Sequence, residues 1–378
     1  MKIIAEGLVS LGHEVTVIGQ SLTLRTRTQW LNGVKRVAMG STPGYAPVVA
    51  DNTGRRRWIQ KRLFSWAKRD VPRTYRELIL KEKPDVIHTN VIHPVDQVLS
   101  ALSPLNIPIV HTLRIYHLMC NQRMYFEGSD CRAQCAACAK RFHKGIPISN
   151  GISAVVGISK FVLQRHLDAG YFSEVHNRYV VSNSYDVDPA RAAQIAEPKA
   201  PTGRFLFMGR VHPSKGIGLF AELAKNSPSP DFIFRVCGRG HPSYEAEVRS
   251  ILAGTRHEWL GFANHEQAFG AVDWLVVPSL WGEPFGRVVI EAFAHGIPVI
   301  ASDGAAFPEL IEHGKNGFLF SPEDPNSLLE IARDIAAGRY NHQEMRRNAL
   351  ASAKTYSSAT IARRYEQIYE AVLGERSR

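Results

Sequence analysis

Short apolar runs alternate with longer amphipathic stretches along the whole chain. In the first half the runs are "HEVTVIG" (13–19), "DVIHTN" (85–90), "IPIVHTL" (107–113), "AVVGIS" (154–159) and "RYVVSN" (178–183). In the second they are "RFLFMG" (204–209), "FIFRVCG" (232–238), "WLVVPS" (274–279) and "IPVIASD" (297–303). Runs this short, bounded by Gly, Pro, Asn or Ser, are strand signals, and the amphipathic stretches between them read as helices. Such alternation predicts an α/β architecture with parallel sheets. Between the two series lies "DVDPARAAQIAEPKAPTG" (186–203), polar, Pro- and Ala-rich and without a strand of its own. A linker there predicts two Rossmann-like domains, 1–186 and 187–356, facing each other across a cleft. Ligands of such sheets bind beyond the carboxyl ends of the strands, hence in that cleft.

Composition narrows the class. The chain has 378 residues, 44% hydrophobic and 21% charged, an ordinary soluble composition with room for two domains. No apolar run approaches the roughly 18 residues needed to span a bilayer, and the N-terminus lacks a basic-then-apolar signal pattern, so a cytoplasmic protein is expected. The net charge of +11 is unevenly spread: residues 1–186 carry 25 Lys+Arg against 13 Asp+Glu, the remainder 21 against 22. The densest basic segment is "RRRWIQKRLFSWAKR" (55–69). As a helix it places Trp58, Ile59, Leu63, Trp66 and Ala67 on one side and Arg57, Lys61 and Lys68 opposite. That suits peripheral contact with the inner face of an anionic membrane, or equally a helix packing on its own domain. No recognition helix, zinc finger or RNA-binding sheet signature points to nucleic acid.

Candidate chemistry concentrates in the second half. "FMGRVHPSKGIG" (207–218) brings Gly209, Arg210, Lys215 and Gly216 to a helix start. Exposed amides, a helix dipole and two cations make a diphosphate cradle, although such a loop is also a common solvated turn. "VCGRGHP" (236–242) ends the next strand in another glycine turn, where Gly238 lets the backbone approach a flat ring closely. "SLWGEPFGRVVIEAFAHG" (279–296) sets Glu283 in a loop and Glu291 inside the following helix. Two carboxylates in a cleft can form an acid/base pair, or accept hydrogen bonds from sugar and ribose hydroxyls, or be an ordinary cap and surface pair. With the cations upstream, the hydroxyl-acceptor reading explains more.

Four of the five cysteines fall in one loop, as Cys120-x10-Cys131-x3-Cys135-x2-Cys138. In a cytosolic protein this spacing reads as a four-thiolate structural zinc or iron–sulfur site, or as free thiols.

"GRVHPSKG" (209–216), "EPFGRVVIE" (283–291), "AHGIPVIASDGAAFPELIEHGKNGFLFSPED" (294–324) and "YSSATIARRYEQIYEAVL" (356–373) resemble the family 4 retaining glycosyltransferases of GT-B fold. The resemblance covers nearly the whole chain. It implies that Arg210 and Lys215, beside Gly209, neutralise the departing nucleoside diphosphate without a divalent metal. It sets Glu283 against the donor sugar hydroxyls, with the Phe285 and Gly286 amides beside it. Glu291 then holds the ribose, and Gly238 and "WLGF" (259–262), with Leu260, lie near the base. The last helix, 357–373, is expected to cross back onto the first domain.

The first half departs from the family. The opening "MKIIAEGLVSLGHEVTVIG" matches the first helix and second strand, so the family's first strand and its Gly-Gly loop are expected to be missing from the sheet. "HTLRIYHLMC" carries Arg114-Ile115 where His-Asp is usual; His111 remains, with substrate binding and a structural place in the strand both open. Ala305-Ala306 replaces a frequent Gly-Gly, and Asn183-Ser184-Tyr185-Asp186 a usual Asn-Gly-x-Asp hinge. The expected function is transfer of a sugar from a nucleotide-sugar donor to a glycan or lipid-linked acceptor in cell-surface polysaccharide biosynthesis, with no cofactor needed for catalysis. The alternative is a noncatalytic nucleotide-sugar-binding protein.

Overall fold

A computed structural model describes the chain except residues 1, 22–25, 41–70, 93, 121–125, 128, 131–135, 190–202 and 376–378. The basic segment 55–69, Cys131 and Cys135 therefore lie outside the described residues, as does most of the expected linker. No described helix is long and apolar enough to cross a membrane.

The first half builds two sheets. Strands β1 (Thr16–Gln20), β2 (Arg27–Leu31) and β3 (Val34–Met39) pair in the order β1-β3-β2. β2 and β3 form a hairpin through Asn32-Gly33, both at positive φ (50° and 75°), which suits Asn-Gly in a tight two-residue turn. β4 (Ile87–Thr89), β5 (Ile109–Leu113), β8 (Ala154–Gly157) and β9 (Asn177–Val180) form a parallel sheet in that order, while β6 (Phe126–Glu127) and β7 (Ser129–Asp130) make a small hairpin. Every residue of β5 and β8 is buried, the mark of parallel strands covered on both faces. Among the described residues no strand joins the two sheets.

The second half builds one parallel sheet from β10 (Arg204–Met208), β11 (Ile233–Cys237), β12 (His257–Gly261), β13 (Trp274–Val277), β14 (Val299–Ser302) and β15 (Gly317–Phe320), ordered β12-β11-β10-β13-β14-β15. The strand order reverses at β10, between β11 and β13, so the crevice of a doubly wound sheet opens there. The residues that loop from β10 and β13 face each other at this point.

The two halves share contacts on both sides of the cleft. The helix Ser358–Gly374 packs on Lys2–Ser10, where a Cβ on Gly7 would lie 2.6 Å from that of Ala362. Its Ile361, Tyr365, Ile368 and Val372 join Ile4, Leu8, Val110 and Val156 in one buried cluster. The helix is anchored by Asp186, which accepts from the amide and hydroxyl of Ser358. Opposite, the Glu309 carboxylate caps the helix Lys160–Asp168 by accepting from the Lys160 and Phe161 amides at 2.7 Å.

One glycine sets the loop after β10. Gly216 has φ +67°, and a Cβ there would sit 1.6 Å from the Pro278 carbonyl oxygen at the end of β13. The Leu280 amide bonds the Ser214 carbonyl at 2.9 Å, so the turn Pro213–Lys215 is seated on the loop after β13. Replacing Gly216 by Ala combines a left-handed backbone with a collision against main chain, and is expected to cost roughly 2 kcal/mol or more in chemical denaturation. Gly304→Ala, where nothing lies within 4 Å of the added methyl, serves as the neutral comparison.

Several histidines of the first domain are buried. His88 bonds Tyr369 Oη and Thr112 Oγ1, each at 2.7 Å, and burial, then the nearby Arg114 charge, pushes its pKa down to about 3. Burial pushes His166 down to about 4. Both are neutral in the fold but ionise near 6.5 once exposed, so the unfolded state binds more protons below that pH. Stability is therefore expected to be full above pH 6.5 and to fall as pH drops towards about 4. Melting temperatures measured between about pH 7 and about pH 5 check this, with a shallower slope in His88→Gln.

Candidate functional site

The loops after β10 and β11 run side by side. The Gly209 amide donates to the Cys237 carbonyl at 3.0 Å and the Val211 amide to the Arg239 carbonyl at 2.9 Å. A Cβ on Gly238 would lie 1.8 Å from the Gly209 oxygen, and one on Gly240 2.0 Å from the Val211 oxygen. These glycines are thus required by the chain's own backbone, whatever else they adjoin.

Beyond that pairing the chain enters the turn Pro213–Lys215, capped by His212, whose Nδ1 accepts from the Ser214 amide at 3.1 Å. The turn presents Lys215 to Glu283. The Lys215 ammonium forms an ion pair with Glu283 Oε2 and stands 4.7 Å over the Trp281 ring. Trp281 Nε1–H donates to that same oxygen at 2.9 Å. Lys215 and Glu283 remain partly accessible, so the pair is a poised contact that solvent weakens.

Glu283 is held through its neighbours. The carbonyl oxygens of Gly282 and Pro284 accept from Tyr116 Oη and Ser159 Oγ of the first domain, each at 2.6 Å. Tyr116 also meets Trp281 edge-on, with ring centroids 6.2 Å apart. The bend that carries the carboxylate is therefore fixed from the opposite domain. Gly286 follows at φ +80°, with Phe307 2.5 Å from where its Cβ would stand, and opens the helix Arg287–Ala294. Ala305 adopts φ +52°, a left-handed conformation for which the glycine usual there would be unstrained.

These elements enclose a pocket of about 270 Å³ whose lining includes Gly209, Arg210, Lys215, Glu283, Gly286 and Arg287. The structure brings together Gly209, Arg210, Lys215, Glu283 and Gly286 of the expected set. Phe285, by contrast, is 3% exposed and packs on Tyr356. Glu291 is 8% exposed and bonds Arg287 Nε at 2.8 Å, with His265 Nε2 at 3.5 Å. Burial raises its pKa, opposed by the Arg287 and His265 charges. Leu260 is half-buried on β12 and packs against the core.

His111 requires a correction. It is wholly buried, with Nδ1 bonded to Thr89 Oγ1 at 2.8 Å and its ring stacked on Phe172. Burial, then the neighbouring His117, holds its pKa well below the usual value. A neutral imidazole inside the domain offers no surface to a substrate, because its position in β5 turns it into the core. Cys120 and Cys138 are buried thiols without a disulfide, and no group of three metal-ligating side chains occurs among the described residues. Sequence reasoning did not single out Arg287, Trp281, Tyr116 or Ser159. Arg287 and Trp281 stood within the quoted 279–296 stretch; the hydroxyls of Tyr116 and Ser159 carried no local signal at all.

Comparison with known proteins agrees with this geometry. Residues 1–189 match the family model "Glycosyltransferase Family 4" and residues 191–352 match "Glycosyl transferases group 1". The chain is 26% identical over 312 residues to an uncharacterized 42.6 kDa protein in the cps region of Klebsiella pneumoniae, covering 82% of each. It is 27% identical over 247 residues to the lipopolysaccharide core biosynthesis mannosyltransferase LpsB of Rhizobium meliloti, covering 62% of this chain and 67% of that one. Among solved structures, sucrose-phosphate synthase from Thermosynechococcus elongatus superposes with TM-score 0.75 at 20% identity, over 98% of this chain and 92% of that one. Anabaena HepE in complex with UDP and glucose superposes with TM-score 0.61 at 21% identity, over 80% of each. Two Rossmann-like domains, a pocket at the switch point of the second sheet and matching models over both halves together show that the chain is a glycosyltransferase of GT-B fold and belongs to family 4.

Proposed function

We propose that the protein transfers a sugar, with retention of anomeric configuration, from a nucleotide-sugar donor to a glycan or lipid-linked acceptor in cell-surface polysaccharide biosynthesis. The observation that carries this reading is the Lys215–Glu283 pair facing the pocket that Arg210 shares. Two cations and a carboxylate beside each other match the two ends of a nucleotide-sugar, an anionic diphosphate and a polyhydroxylated ring. The LpsB relative and the UDP and glucose bound to HepE support this donor chemistry.

In the structure Glu283 pairs with Lys215. A donor diphosphate entering the pocket competes for that ammonium and releases the carboxylate to accept from donor hydroxyls, with Trp281 Nε1–H still holding one of its oxygens. As transfer proceeds, the bond from the anomeric carbon to the diphosphate oxygen breaks, the bond to the acceptor hydroxyl oxygen forms, and the proton of that hydroxyl passes to the departing phosphate oxygen. Negative charge grows on the departing phosphate, where Lys215 and Arg210 stabilise it most. Fixed side-chain cations here take the place of a divalent metal. The Tyr116 and Ser159 contacts join the domains around the bend and exclude water that would otherwise take the sugar.

Lys215→Ala is expected to lower kcat by about 10²–10³, the range for loss of one preorganised donor to a developing anion. Glu283→Ala is expected to abolish product formation, while circular dichroism shows both variants folded. Donor bound by the wild type without any product would favour a noncatalytic binding role instead. Transfer is expected to continue in excess chelator; activity that returns only with added magnesium would contradict the metal-free reading.

A further inference from the structure

Arg114 stands where the sequence departs from the family, and the nucleotide pocket does not account for it. It follows β5, and it is gripped by two asparagines that follow other strands of the same sheet. Its Nε donates to Asn90 Oδ1 at 2.8 Å, and its Nη1 to Asn183 Oδ1. All three residues lie beyond the carboxyl ends of parallel strands, the edge that faces the cleft. Across the cleft, the charge it feels is Arg287, which lines the pocket of the second domain.

Among the described residues the guanidinium has no counter-ion. Two neutral amide oxygens occupy two of its five N–H donors, and among the described residues no Asp or Glu pairs with it. The other neighbour that affects it is the Tyr365 hydroxyl, whose own pKa burial raises, so it carries no charge near neutrality. Other part-buried cations pair with carboxylates, Lys35 with Glu82 at 2.7 Å and Arg235 with Glu258 at 2.7 Å. An arginine stays ionised even when desolvated, and a desolvated charge without a partner is costly to a fold. Placing a second arginine opposite adds to that cost.

We propose that Arg114, oriented by Asn90 and Asn183, is the counter-ion for an anionic group carried by the substrate, a carboxylate or a phosphate oxyanion, at a subsite separate from the diphosphate position at Arg210 and Lys215. With Nε and Nη1 engaged by the asparagines, Nη2 is left as a charged donor to such an oxyanion. The group is either the carboxylate of an acidic donor sugar or the phosphate of a lipid-linked acceptor. The proposal rests on the nucleotide-sugar reading and makes it narrower.

Isothermal titration on the full chain separates these sources. The donor arm compares UDP-glucose with UDP-glucuronic acid, and GDP-mannose with GDP-mannuronic acid. The acceptor arm compares polyprenol with polyprenyl monophosphate in detergent micelles. UDP and GDP alone are the controls for the nucleotide pocket. In the wild type the anionic member of one pair is expected to bind about tenfold or more tightly than its neutral partner, the scale of one charge-assisted hydrogen bond. Arg114→Gln is expected to erase that preference and Arg114→Lys to keep part of it; the pair that responds identifies the source. No preference in any pair, or a preference that survives Arg114→Gln, overturns the proposal. Should Arg114→Gln not fold, a preference equally absent from the wild type and from Arg114→Lys overturns it. Failure of UDP, GDP and every donor to bind overturns the nucleotide-sugar reading instead.

Discussion

The ion pair between Lys215 and Glu283 is the contact on which the rest of the arrangement depends, because each partner is positioned by a different constraint. Lys215 is placed by a backbone approach that only glycine permits, Gly216 against the Pro278 carbonyl. Glu283 is placed by two hydroxyls of the other domain, Tyr116 and Ser159, which take the carbonyls on either side of it. The pair forms only when the second sheet is correctly wound and the two domains are joined. Its position at the reversal of strand order between β11 and β13 follows from topology, since that is where loops diverge and leave a crevice.

Charge in the cleft is arranged in two tiers. Arg210, Lys215 and Arg287 line the second-domain pocket, where Glu283 and Glu291 partner two of them. The first domain adds Arg114, held among the described residues by the side-chain amides of Asn90 and Asn183. A cleft with this surplus attracts polyanionic ligands and strengthens their hold once water is displaced, as the low dielectric of a closed site amplifies each contact. The buried histidines of the first domain are the opposite case. Desolvation keeps them neutral, so they pack as polar core groups and take no part in the cleft.

Much of this was legible in the sequence. β10, β13 and β14 are largely apolar because both faces are covered, β11 is broken only by Arg235, and each lies within its expected span. β12 and β15 are edge strands and were missed, β12 because polar residues open "HEWLG" and β15 because "GFLF" offers an apolar run of only three residues. The β2–β3 hairpin was missed despite the Asn32-Gly33 turn signal, since β2 is exposed along its whole length and shows no apolar run. The grouping of Arg210, Lys215 and Glu283 around one pocket was legible because residue type, spacing and a preceding strand coincide. His111 misled because β5 is covered on both faces, and a single sequence does not show whether the end of such a strand opens to the cleft or stays under neighbouring elements. Cross-domain hydroxyls such as Tyr116 and Ser159 are set by tertiary docking, which leaves no periodic trace.

The most direct test is a crystal structure of the protein with a nucleoside diphosphate, UDP or GDP. The account predicts phosphate oxygens within hydrogen-bonding distance of Lys215 Nζ and the Arg210 guanidinium, with Lys215 withdrawn from Glu283 and the carboxylate turned towards the space a donor sugar would fill. A diphosphate bound elsewhere, with the Lys215–Glu283 pair intact, would contradict it.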